Sequence, residues 1–588
     1  MRTSLKSLKR NSSHALSCLG GKTQTYALLA VATIEAVALN LWIVSIDNRP
    51  PPWDYAYYLT SSLRIYNAMK GNSVSNLLVV LGDPYRPPLV PLLASPFYFI
   101  FGMSYNSAMF ESVVFMAILS LATFKLTARL TSSNLAGAIG AGIVMALPGI
   151  IIFARIFGLD FPLAALVVLG LYLVAASDGF RKRKVSIMLG LVAGLGMLTK
   201  WSYFIYIAPM ILAEIVQKRR TMNLRSMLLA GIVAVCLSLP WYANALNQGL
   251  IGNVSQWFWG PSARVFAAPG SNSIFDVAAL SFYLTRLYAG LMGPLYSAII
   301  VLIFGLVLLL RRKKALQCNG AKHLARSMAF AILVSFAWFM LLESKVDRYL
   351  LPILPAAVIL TVYAGWQIRA KEVELGRFLL LGVLLISLIV TPLGVTMPQI
   401  GYQLGIYDTY YTQYTPSSSL EKFYGYDSYG PPLRDDWRVT QIIKSIADLN
   451  PNAKVAILAS HWVFNEDTFT YYETLLGVPG IYFRDFRDYL VVPPFDDLNY
   501  YDFVLMKTAL IGNQTDHLVR ILDRLKIVND PFYSSHKMIQ SFPLPDGSRA
   551  LLFMRICPDQ NQPSCVPSQK GYGSAPIQGI GIRLAPHS

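Results

Sequence analysis

Charge is what this sequence has least of. Only 14% of its 588 residues are Asp, Glu, Lys or Arg. Ordinary soluble domains carry about 25%, so a typical cytosolic enzyme is excluded. Acidic residues are the scarcer kind, 32 against 50 basic ones, for a formal charge of +18. Cysteine is also rare. There are five, with no Cys-x-x-Cys pair and no His/Cys cluster, so neither a disulfide scaffold nor a structural zinc site is indicated. No glycine-rich phosphate loop sits at a strand end, and no long internal repeat is visible. What is abundant is apolar: 54% of residues are hydrophobic and 12% aromatic, too many for a disordered chain. With 34 prolines and 40 glycines, a coiled coil or simple fibre does not fit either. The class that remains is a polytopic α-helical membrane protein carrying one soluble domain.

A membrane-crossing helix needs about 20 mostly apolar residues. About eleven runs meet that need, at 26–46, 104–126, 135–153, 161–176, 185–199, 202–216, 226–244, 287–310, 327–342, 350–368 and 378–397. The connecting loops test the assignment. Lys and Arg concentrate on alternate loops, as in Arg181-Lys182-Arg183-Lys184, Lys218-Arg219-Arg220 and Arg311-Arg312-Lys313-Lys314. The positive-inside bias puts those loops and the N-terminus in the cytoplasm, and an odd number of spans puts the C-terminus outside. The same distribution accounts for the basic balance without a nucleic-acid partner.

The expected organisation follows. Residues 1–25 form a cytoplasmic tail, and 26–400 a transmembrane domain with an external first loop at 47–103. Residues 401–431 form a tyrosine-rich external connector, 432–565 an external α/β domain, and 566–588 a Pro/Gly/Ser-rich tail. Within the first loop, 89–101 is apolar but short and reads as a helix lying at the interface; the alternative, a twelfth span, would invert the charge bias downstream. In the soluble domain, 437–449 and 517–525 read as helices, and 454–460, 480–483, 489–492, 503–506 and 550–554 as strands. Cys557 and Cys565 lie together in the external tail, where oxidising conditions would permit pairing. Asn253 and Asn513 begin formal glycosylation triplets. Gly190, Gly194 and Gly196 read as a face of close helix packing.

The informative charges are those that orientation does not explain. Asp54 follows Trp53 just after the first span; Asp83 and Arg86 end the polar part of the first loop; Arg155 and Asp160 share a short turn; Lys200 occupies another; Glu343, Lys345, Asp347 and Arg348 crowd a third. Ionisable groups at membrane depth are costly and often functional. Arg86, Lys345 and Arg348 offer cations for a phosphate, the arginines as bidentate forks. Asp54 and Asp160 offer carboxylates, for general-base work or for a divalent cation. Each also has a plainer reading. Asp54 and Asp160 suit helix N-termini. Arg155, Lys200 and Lys345 could snorkel to headgroups. Glu343 and Asp347 could pair with Lys345 and Arg348. The combination, more than any member, favours a site for an anionic lipid headgroup.

These motifs resemble the GT-C membrane glycosyltransferases, especially the dolichyl- or polyprenyl-phosphate-mannose–protein mannosyltransferases and their aminoarabinose-transferase relatives. The resemblance runs over about residues 26–400. It rests on Trp53-Asp54 with Tyr58-Leu59, Gly82-Asp83 before Arg86-Pro87-Pro88-Leu89, Arg155…Asp160, Gly194…Lys200-Trp201, Pro240-Trp241-Tyr242 and Lys345…Arg348-Tyr349…Pro352…Pro355. It implies an integral protein of the plasma (inner) membrane with its active site outside. The implied reaction is hexosyl or pentosyl transfer from a polyprenyl-phosphate-linked sugar to a hydroxyl of a protein, lipid or polysaccharide, with inversion. Asp54 matches the catalytic base, Arg86, Lys345 and Arg348 the residues at the donor phosphate, and Asp160 the carboxylate on the donor or metal side. Tyr58, Asp83, Arg155, Lys200 and Tyr349 are secondary candidates. Many relatives carry a second acidic residue where this chain has Tyr55, which weakens the case for a metal. No cofactor is required by the pattern beyond that optional divalent cation. The alternative is a transporter or flippase of an anionic lipid or solute, and a receptor anchored by its spans is a third reading.

Overall fold

Apolar segments in a bilayer must satisfy their backbone hydrogen bonds internally, and the expected runs all become helices. The computed structural model describes residues 21–84, 86–249, 255, 268, 271–311, 321–368, 375–407, 430–478, 480–486, 497–509, 516–527 and 530–556. The expected strand at 489–492, most of the tyrosine-rich connector, Cys557, Cys565, Asn253, Asn513, residues 1–20 of the N-terminal tail and the C-terminal tail lie outside the described residues. In chain order the helices are α1 (Lys22–Ile46), α2 (Trp53–Lys70), α3 (Val74–Leu81), α4 (Leu89–Phe101), α5 (Phe110–Thr131), α6 (Asn134–Met145), α7 (Pro148–Ala154), α8 (Asp160–Ser177) and α9 (Arg183–Thr199). Then come α10 (Tyr203–Lys218), α11 (Leu224–Asn247), α12 (Val277–Arg286), α13 (Gly293–Arg311), α14 (Lys322–Met340), α15 (Leu354–Trp366), α16 (Leu375–Thr396) and α17 (Pro398–Leu404).

Among the described residues, seven helices are long and apolar enough to cross a membrane, or nine when two bent pairs each count as one span. The bends have local causes. Pro148 opens α7 and breaks the run from α6 at 61°. Gly293 at φ +72° turns the chain between the segment ending at Leu291 and α13, a break of 114°. The expected runs at 185–199 and 202–216 form α9 and α10, only 17 and 16 residues long. α4 is a 13-residue apolar helix, as expected of the first loop and too short to cross the hydrocarbon.

Close packing uses the glycines singled out in sequence. A Cβ on Gly190 would collide with the Ala230 carbonyl of α11, and one on Gly194 would come 2.9 Å from the Leu237 side chain. Contacts divide the chain into two compact units. The first comprises Met1–Ser45, Ala68–Phe97 and Asn106–Tyr414. The second comprises Ile46–Asn67, Tyr98–Tyr105 and Thr415–Ser588.

The second unit holds a five-stranded sheet in the order β2-β1-β3-β5-β4. Its elements are α18 (Val439–Leu449), β1 (Lys454–Leu458), α19 (Glu466–Leu476), β2 (Tyr482–Asp485), β3 (Phe503–Lys507), α20 (Asp516–Leu525), β4 (His536–Pro543) and β5 (Arg549–Arg555). β1 is parallel to both β2 and β3, while β5 runs antiparallel to β3 and β4. β3 is buried at every position, which is why Phe-Val-Leu-Met reads as one apolar run. α18 buries Val439, Ile442, Ile443 and Ile446, an i, i+3, i+4, i+7 stripe, against the sheet. α19 and β4 are additions to the expected elements. β4 is a bulged edge strand with mixed polarity, so it shows no apolar run.

Candidate functional site

In the first unit the short turns between helices deliver charged side chains to one place. Asp160 opens α8, where the helix dipole favours a carboxylate. It is 4% exposed. Its Oδ1 accepts a hydrogen bond from Lys200 Nζ at 2.6 Å, and its Oδ2 lies 3.8 Å from Arg348 Nε. Lys200 comes from the turn between α9 and α10, and its ammonium stands 5.3 Å from the centre of the Tyr349 ring. Burial holds the Lys200 ammonium below the usual lysine range; Asp160 pulls it back up, and Arg348 and Arg86 push it further down. Arg86 is therefore within electrostatic reach of the same group. The Tyr206 hydroxyl of α10 donates to the Tyr349 carbonyl at 2.8 Å, tying the turn of Arg348 to α10.

The loop of Arg86 is strapped to α11. The Trp241 indole donates to the Asp83 carbonyl at 3.0 Å, and Asn244 donates to the Gly82 carbonyl at 2.5 Å. The Tyr242 hydroxyl reaches back to the Met197 carbonyl of α9 at 2.9 Å. The Pro240-Trp241-Tyr242 motif thus anchors both the Asp83–Arg86 loop and the helix end leading to Lys200. Asp83 contributes its backbone here.

Other candidates are placed differently. Asp347 does not form the side-chain pair expected with Lys345 or Arg348. Its Oδ2 accepts from Arg286 at the end of α12, at 2.6 Å, and its Oδ1 from the Arg348 backbone amide at 2.7 Å. The pair is dictated by the fold, because Arg286 lies 61 residues upstream. Lys345 turns its ammonium onto the last carbonyls of α14, with Met340 and Leu342 each at 2.6 Å and Phe339 at 3.4 Å. That is a helix C-terminal cap. Burial lowers the Lys345 ammonium to about 8. The Arg155 guanidinium is buried over the Tyr407 ring, 5.4 Å from its centre.

In the second unit Asp54 is the second residue of α2 and partly exposed. Three buried prolines precede it, and Trp53 adopts φ +30°. The amides of Tyr55 and Ala56 both donate to the Pro52 carbonyl, which starts the helix. Tyr58 is buried one turn later, edge-on to Tyr57 at 6.3 Å.

Residues 85–243 match the family model for dolichyl-phosphate-mannose–protein mannosyltransferases. The structure of ArnT from Cupriavidus metallidurans bound to undecaprenyl phosphate resembles this one with a TM-score of 0.54, at 13% identity over 90% of this chain and 98% of that one. The same protein in the apo state gives 0.52, at 14% identity over 88% and 96%. The chain has the GT-C-like membrane fold. No curated protein matches its sequence.

The family-model segment contains Arg86, Arg155, Asp160 and Lys200, while Asp54, Lys345 and Arg348 fall outside it. A divalent ion does not fit the residues present. Asp160 already holds two cations, and among the described residues no group of three or more His, Cys, Asp or Glu converges. Two neighbours of these residues were not legible as candidates. Tyr206 sits in an apolar helix and carries no signal. Arg286 carries one: it is a cation at an outer helix end by the expected topology, the criterion that singles out Lys200.

Proposed function

We propose that this chain transfers a sugar from a polyprenyl-phosphate-linked donor to an acceptor hydroxyl on the extracytoplasmic face, with inversion. The observation that carries the reading is the sharing of one buried carboxylate, Asp160, by Lys200 and Arg348, with Arg86 in electrostatic reach. Cations gathered this way suit a phosphate diester whose charge grows as the sugar departs. The undecaprenyl phosphate held by the similar ArnT structure supports a lipid-linked donor of that class. The alternation of basic loops supports the outward orientation.

In the reaction the acceptor oxygen attacks the anomeric carbon, and the bond from that carbon to the phosphate oxygen breaks. The electron pair leaves with the phosphate, and the hydroxyl proton passes to Asp54. The transition state is oxocarbenium-like, by analogy with glycosidic cleavage. The role of Asp160 is to hold Lys200 and Arg348 in place. Lys345 acts one step back, by fixing the end of α14 that leads into the Arg348 turn.

Replacing Asp54 by Asn tests the reading. Transfer in membranes supplied with a labelled polyprenyl-phosphate sugar is expected to fall about 100- to 10,000-fold, with undecaprenyl phosphate binding retained. Undiminished transfer would remove Asp54 as base. Movement of the lipid across proteoliposomes without sugar turnover would favour a flippase instead.

A further inference from the structure

In open α/β sheets, ligands settle outside the carboxyl ends of parallel strands, where neighbouring strands are reached in opposite directions. β1 is such a strand: the chain leaves it through α19 to β2 on one side and later adds β3 on the other. Against the loop and helix that follow β1 lies this chain's own Pro51–Trp53 segment. The Trp462 ring, in the loop after β1, lies 4.5 Å from the Trp53 ring at 30°. Thr468, in the first turn of α19, donates its buried hydroxyl to the Pro51 carbonyl at 3.0 Å.

The grip is itself braced. Asn465 caps α19 by accepting from the Thr468 amide at 3.1 Å and donates to the His461 and Trp462 carbonyls, both at 2.9 Å. Upstream, the Asn48 amide donates to the Leu433 carbonyl at 2.7 Å, and the Leu433 amide returns a bond to Asp47 at 3.3 Å. Between these two holds runs Pro50-Pro51-Pro52, whose fixed φ angles transmit position along the chain. Trp53 at φ +30° is a conformation that persists only when its surroundings over-determine it.

We propose that the soluble α/β domain is the positioning element for Asp54, with Trp462 and Thr468 as the residues that hold the Pro51–Trp53 segment and so aim the first turn of α2. This gives the domain a task in transfer without chemistry of its own, and it rests on the reading of Asp54 as base.

The test uses full-length protein in nanodiscs and hydrogen–deuterium exchange. In Trp462→Ala and Thr468→Val, the Tyr55 and Ala56 amides should exchange about tenfold or more faster, while β1 and β3 amides stay unchanged. Trp462→Phe should restore protection. In transfer assays Trp462→Ala should lower kcat by about 10- to 100-fold, with KM for the polyprenyl-phosphate sugar changed far less. Unchanged exchange at Tyr55 and Ala56 would overturn the proposal. So would faster exchange across the sheet, which would make Trp462 a packing residue only. Asp54→Asn separates this from the reading beneath it. If that variant keeps its transfer, the base assignment fails whatever the exchange shows; if it loses transfer while Trp462→Ala keeps its kcat, positioning fails alone.

Discussion

Asp347 and Arg348 are adjacent in sequence and belong to two ion clusters of different construction. Asp347 pairs with Arg286, and the two side chains are 2% and 1% exposed. Arg348 joins Lys200 on Asp160, where the cations are 22% and 14% exposed. The first is an ion pair shut off from solvent, so removing either member strips the other buried charge of this counter-ion. In the second, two cations share one carboxylate and keep surface that a ligand can reach. The lesson is that burial alone does not mark a site; the marks are how many cations share a carboxylate and whether they remain accessible.

The largest effect should come from breaking the closed pair. Arg286→Leu is expected to cost about 3–5 kcal/mol of stability, read as a lowered thermal midpoint of the solubilised protein. A midpoint within error of the parent would erase the distinction between the clusters. Arg348→Ala should instead spare stability to within about 1 kcal/mol and cut transfer by about 100- to 1,000-fold. A loss of fold in proportion to the loss of activity would make Arg348 structural as well.

The pH dependence of the open cluster sharpens the contrast. Lys200 in the folded chain releases its proton below the usual lysine range, mainly through burial. Over the window between that lowered value and the ordinary one, the unfolded chain binds more protons, so stability should rise with pH. Binding of undecaprenyl phosphate should fall over the start of the same window, as the ammonium is lost. Lys200→Arg should flatten both trends, because a guanidinium does not titrate there. Binding and stability that rose together would place Lys200 away from the lipid. The smallest effect is expected from Tyr206→Phe, which removes the hydroxyl bond to the Tyr349 carbonyl. It should cost about 1 kcal/mol and weaken transfer only as far as the Arg348 turn loosens.

Much of the fold was legible in the residues. The apolar runs became helices because a bilayer leaves the backbone no other partner. The bends at Pro148 and Gly293 were not read in advance, although both residues are known helix breakers, because hydropathy averaged over a run conceals a local turn. In the C-terminal sheet region β1, β3 and β5 were visible as buried apolar runs. α19 was missed because Glu466–Leu476 mixes Thr, Tyr and acidic residues, and its helix depends on the Asn465 cap and on packing. At the site, Lys200 and Arg348 stood out as cations at odds with the orientation bias, and Asp160 as an ionisable group in a short turn between apolar runs. Their sharing of one carboxylate, and the turn of Lys345 toward helix carbonyls, could not be read from spacing.

The sequence by itself determined the class of the molecule, the order of its helices and the residue types available at the helix ends, because these follow from apolar length, charge distribution and backbone hydrogen bonding. Only the tertiary structure decided which charge meets which. Asp160 and Lys200 are 40 positions apart, Asp347 and Arg286 are 61, and Thr468 and Pro51 are 417. Pairing over such distances is set by how helices and strands pack, and no local pattern encodes it.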